Sequence, residues 1–101
     1  MIKNHVVIDH EKIAEFCNRH HIRKLALFGS VLRDDFNSDS DVDVLVEFEP
    51  GYTPGFALIR IEEELAKILG HPKVDLVTEK FLNRWIRERV KAEAEVQYVQ
   101  G

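Results

Sequence analysis

Leu25-Ala26-Leu27-Phe28-Gly29-Ser30 is followed, after ten residues, by Asp41-Val42-Asp43-Val44-Leu45-Val46. The first stretch, taken from Lys24 to Phe28, reads as a buried strand that stops at Gly29. The second alternates. Val42, Val44, Val46 and Phe48 fall on one side of a strand, and Asp41, Asp43, Leu45 and Glu47 on the other. Between them, Ser30 to Arg33 has room for one or two helical turns, and Asp34 to Ser40 is a polar, turn-rich loop.

Each half of this pattern carries possible chemistry. Glycine permits positive φ and lets a phosphate come close to the backbone. A helix starting at Ser30 would aim unpaired N–H groups at an anion, and the Ser30 hydroxyl could add a hydrogen bond. Taken alone, the pair is as readily a tight turn with an N-cap. Asp41 and Asp43, two residues apart on a strand, project from one face, where their charges repel unless a cation or proton lies between them. Magnesium is held by one or two carboxylates together with substrate phosphates and water, so the pair suits a metal–triphosphate site. It also suits a polar strand start at a sheet edge. Arg33, one turn beyond Ser30, can reach a phosphate or pair with the neighbouring acids.

Working outward, Asp9 is a candidate N-cap for a helix with Ile13, Phe16, Cys17 and His20 at helical spacing. Pro50 to Gly55 is a loop. Phe56 to Leu69 carries Ile61, Leu65, Ile68 and Leu69 at helical spacing and closes at Gly70. Lys73 to Val77 is a short strand holding Asp75 between apolar neighbours. If it lies beside the Asp41–Phe48 strand, Asp75 joins the other two acids and can take a proton from an incoming group; otherwise it faces solvent. Thr78 is placed to cap a last helix, with Leu82, Trp85, Ile86 and Val90 on one face and Trp85 in the core. Arg84, Arg87 and Lys91 form a basic face on that helix, solvated or available to an acidic partner or RNA. Val96 to Val99 makes a final edge strand. The five histidines show no zinc-ligand spacing and read as surface or loop residues. This order implies an α/β (α+β) fold, a small mixed sheet flanked by helices.

With 101 residues the chain is expected to form a single domain, 1–101. No apolar run is long enough for a membrane helix, and the start lacks a secretory leader. One cysteine, Cys17, allows no internal disulfide, and a cytoplasmic location is expected. The net charge of −4 argues against broad nucleic-acid binding. From Asp34 to Ile59 there is no Lys or Arg, and seven acids lie in that stretch.

Leu27-Phe28-Gly29-Ser30 with Arg33, Ser40-Asp41-Val42-Asp43-Val44-Leu45-Val46, and Val74-Asp75-Leu76-Val77 together resemble the nucleotidyltransferase superfamily that includes DNA polymerase β. Size and the helix before the motif look like its minimal nucleotidyltransferase (MNT) branch. The resemblance implies a polymerase β-like palm, ATP as donor, and Mg²⁺, two ions, as cofactor. It carries Gly29, Ser30 and Arg33 to nucleotide binding, and Asp41, Asp43 and Asp75 to the metals and catalysis. Asp34 stands after Arg33 where family members often have glycine. MNT proteins are commonly encoded beside HEPN proteins, helical RNases. The resemblance therefore implies an antitoxin that moves AMP from ATP to a hydroxyl, a tyrosine, of a HEPN toxin partner. Two other readings stay open: transfer to a small molecule or RNA end, and neutralisation of the partner by binding alone.

Overall fold

The computed structural model describes residues 2–3, 6–37 and 39–100. Its centre is a four-stranded sheet in the order β5-β4-β3-β6, made of β3 (Ile22–Phe28), β4 (Val42–Phe48), β5 (Val74–Val77) and β6 (Glu95–Val99). β3 runs antiparallel to β4 and to β6, while β4 and β5 are parallel. A parallel pair needs a crossover, and α2 (Leu58–Leu69) supplies it. The expected mixed sheet flanked by helices is what forms.

The apolar residues of the alternating strands face one layer. Leu25 and Leu27 of β3, Val42, Val44 and Val46 of β4, and Leu76 of β5 join a core completed by α1 (His10–Arg19) and α2. From α1 come Ile13, Phe16 and Cys17; from α2 come Ile61, Leu65 and Leu69, all buried. Each such side chain contributes about 1.5–3 kcal/mol when taken fully out of water. Burial also pushes the Cys17 thiol up to about 12, so it is an inert core residue. Asp9 caps α1 as expected, its Oδ1 accepting the Lys12 N–H at 3.2 Å. Gly70 ends α2 with φ 67°.

One element was not anticipated, and three expectations need correction. A short hairpin, β1 (Ile2–Lys3) and β2 (Val6–Val7), precedes α1, and it brings Val6 into the core. The last helix, α3 (Arg84–Glu93), is capped by Asn83, whose Oδ1 accepts the Trp85 N–H at 2.7 Å; Thr78 instead precedes a 3-10 turn, Glu79–Phe81. Leu82, extended with ψ 135°, separates the two. Trp85 is 81% exposed rather than core. The helical spacing is real, but no residue of α3 is buried, so sharing a side does not bring the aromatic under cover.

His71 is the third. It is buried, not a surface histidine. Its Nδ1 accepts the Lys73 N–H at 3.2 Å, so the ring proton sits on Nε2, which has no hydrogen-bond partner among the described residues. A buried donor left unmatched costs about 1–3 kcal/mol. Among the described residues, no helix is long and apolar enough to cross a membrane.

Candidate active site

The register of the sheet assembles the acids. Asp43 on β4 pairs with Asp75 on β5 in parallel register, and with Phe28 of β3 on its other side. Directly paired residues share a face, and Asp41 lies two positions before Asp43 on that same face. It is the face turned away from α1 and α2. Apolar burial on one side of β4 thus forces its carboxylates to the other.

Gly29 follows β3 at this end of the sheet. Its φ is +76°, in the left-handed region. A Cβ built there would stand 2.5 Å from Asp43 Oδ2. Glycine is required twice over: for the backbone turn, and because the Asp43 carboxylate rests against the backbone where a side chain would begin. Ser30 lies in the 3-10 turn Gly29–Leu32, and its hydroxyl donates to the Asp41 backbone carbonyl at 3.1 Å. The turn is thereby tied across the loop to the first aspartate. Four residues of 3-10 helix carry only a small dipole, less than the helix start anticipated at Ser30.

Electrostatics single out Asp43. Partial burial, then the nearby Asp75 and Asp41 charges, raise its proton affinity above the ordinary value, while Arg33 pulls the other way. Arg33 itself is exposed and pairs with Asp35 at 3.5 Å. Among the described residues, no three His, Cys, Asp or Glu side chains converge closely enough to hold a metal ion. The carboxylates share a face and feel one another's charge without closing around a point.

Two groups that sequence reasoning passed over steady this arrangement. Glu62 of α2 accepts the Leu76 N–H at 2.8 Å, fixing β5 one residue beyond Asp75. Lys73 accepts the Val42 N–H on its carbonyl at 2.8 Å, fixing the start of β4. A Glu on the half-buried flank of an amphipathic helix was the available signal for the first; nothing local marked the second. The basic face expected on α3 is divided. Arg84 lies over the Trp85 ring, Arg87 donates to the Leu82 carbonyl, and Lys91 pairs with Glu79.

The family model for the nucleotidyltransferase domain matches residues 10–99. The chain belongs to the nucleotidyltransferase domain family. As a nucleotidyltransferase it has relatives of similar length. A protein of Thermococcus cleftensis named protein adenylyltransferase MntA is 37% identical over 89 residues, covering 87% of this chain and 85% of its own. A Methanocaldococcus jannaschii protein, provisionally named a protein adenylyltransferase, is 36% identical over 84 residues, with 81% of each chain covered. A solved structure provisionally named a minimal nucleotidyltransferase superposes with a TM-score of 0.69 at 39% identity, covering 84% of this chain and 85% of its own. A crystal structure of a toxin–antitoxin with AMP-PNP shares the fold with a TM-score of 0.69 at 20% identity, over 91% of this chain and 74% of that one.

Proposed function

We propose that this nucleotidyltransferase is a cytoplasmic protein adenylyltransferase and antitoxin. It would move AMP from ATP to a hydroxyl, a tyrosine, of a HEPN-domain RNase toxin, and so silence that toxin. The observation that carries the proposal is the Asp43–Asp75 register pair, with Asp41 on the same face and Gly29 held open against Asp43. Further support comes from relatives named protein adenylyltransferase, and from toxin–antitoxin complexes of the same fold.

The donor set is oxygen-only, and the Asp75 and Asp41 charges raise the proton affinity of Asp43, a chemistry that suits Mg²⁺ although the three carboxylates do not converge on a point in the structure. Asp41, Asp43 and Asp75 would hold it, two ions in the full site, and when bound it supplies electrophilic stabilisation of the phosphoryl oxygens. The chain's own residues do the rest. Gly29 and Ser30 present the backbone turn to the triphosphate, and Arg33 lends a cation at its rim. The acceptor hydroxyl oxygen forms a bond to the α-phosphorus, and the bond from that phosphorus to the bridging oxygen breaks. Pyrophosphate leaves, and the hydroxyl proton passes to Asp75, the exposed residue of β5.

The test is direct. The protein is incubated with ATP, Mg²⁺ and the HEPN protein encoded beside it, and the HEPN protein is then weighed. A mass gain of one or more AMP units that disappears in Asp41→Asn and Asp43→Asn is expected. An unchanged partner mass, or equal gain with both variants, would sink the proposal. If the double variant still neutralises the toxin in cells, binding alone is the mechanism.

A further inference from the structure

The Gly29-Ser30 turn and Asp41 are joined by a loop whose described residues, 33–37 and 39–41, have little regular structure of their own. We propose that His71 and Lys73, in the turn between α2 and β5, act as a latch that positions this loop and so holds the two halves of the nucleotide site in register. The proposal draws on the nucleotidyl-transfer reading only for its choice of ligand.

Two contacts reach the loop from this turn, and a third holds Val42 at the start of β4. The His71 ring packs on Phe36, the one apolar residue among the loop's acids and amides, with centroids 5.3 Å apart; Phe36 is itself buried. Lys73 Nζ donates to the Asp39 carbonyl at 3.1 Å. The Lys73 carbonyl accepts the Val42 N–H at 2.8 Å. His71 joins these contacts together, because its Nδ1 accepts the Lys73 N–H and fixes the lysine backbone that reaches both Asp39 and Val42. The imidazole does this with Nε2 buried and unmatched among the described residues. An apolar side chain would fill the same space without that cost, but it could not accept from Lys73. Within the loop, Asn37 Oδ1 accepts the Asp39 N–H at 2.8 Å and the Asn37 carbonyl accepts the Ser40 N–H at 3.0 Å. These bonds tie Asn37, Asp39 and Ser40 together just before Asp41.

A merely structural residue and a positioning residue make opposite predictions. His71→Leu keeps apolar volume and removes both the acceptor and the unmatched donor. Its melting temperature should equal or exceed that of the wild type, while AMP-PNP with Mg²⁺ binds about tenfold more weakly by calorimetry. Amide exchange should quicken within residues 33–42 and nowhere else. His71→Asn places an amide oxygen where Nδ1 was and should recover most of the affinity. Lys73→Met, an exposed change without consequence for folding, should weaken binding by a smaller factor.

Unchanged affinity in His71→Leu overturns the proposal, as does a loss of affinity that tracks a general loss of stability and protection. Failure of His71→Asn to recover affinity overturns it too. If the wild type itself binds no AMP-PNP, the transferase reading fails instead. The latch is then judged on exchange alone, with equal protection of residues 33–42 in wild type and His71→Leu overturning it.

Discussion

The two ends of β4 carry acids on the same face and treat them in opposite ways. At the far end Glu47 pairs with Arg23, and Glu49, just past the strand, accepts from His21 at 2.9 Å and from Gln100 at 2.7 Å. Those hydrogen bonds, Gln100 first and His21 next, lower the Glu49 proton affinity. At the near end Asp41, Asp43 and Asp75 have one another, and Asp43 is shifted upward. An alternating strand turns its polar residues to one side; whether those residues are neutralised depends on what the neighbouring strand offers. β3 presents Lys24 opposite Glu47, but Phe28 and then Gly29 opposite and beside Asp43. The acids whose charged neighbours, among the described residues, are mainly one another are the ones available to an external cation.

Removing the charge at the near end is the strongest way to break this contrast. Asp41→Asn or Asp43→Asn should lower AMP transfer by about a thousandfold, about 4 kcal/mol of barrier, in a single-turnover assay. Arg23→Met at the far end should leave transfer unchanged. Gly29→Ala comes next. It forces alanine into left-handed backbone, which costs about 1–2 kcal/mol, and drives a methyl into Asp43. Transfer should fall about a hundredfold, with a lowered melting temperature.

Stability then sharpens the comparison through pH. Asp43 binds a proton more tightly folded than unfolded. Its favourable contribution is therefore present below the ordinary aspartate value and is lost as pH rises through the folded value. Asp43→Asn should thus melt a few degrees higher than wild type at neutral pH, with the difference vanishing in acid. Glu49 has the reverse sign: its contribution holds above the ordinary glutamate value and fades as pH falls through the lowered one. Carboxyl NMR titration should find the two groups on opposite sides of their ordinary values. The smallest effect belongs to the surface. Arg23→Met should cost at most about 1 kcal/mol by denaturant melts, and less at high salt.

Much of the site was legible because short-range geometry dictates it. Alternation in Val42–Phe48 put Asp41 and Asp43 on one face. The strand-stopping Gly29 marked the turn, and the apolar neighbours of Asp75 marked a strand. The fold class followed from the order of periods. What the sequence could not display was which partner each surface meets. Leu82, Trp85, Ile86 and Val90 have helical spacing, yet periodicity says only that they share a side, not that a second surface covers it; Trp85 stays in water. His71 looked like any loop histidine, since its burial depends on Phe36, thirty-five residues away in the chain. Thr78 was the expected cap, and it is the extended backbone at Leu82 that hands the role to Asn83.

Glu62 has a consequence for how the sheet can grow. β5 is an outer strand, and such an edge invites a strand from another chain. A newcomer there would have to compete with the Glu62 carboxylate already seated on the Leu76 N–H, and would face the charge of Asp75 alongside. The opposite border, β6, shows Val96 and Val99 to solvent at 48% and 62% exposure. The border of the sheet beside the acids is thus guarded by a side chain that the crossover helix supplies.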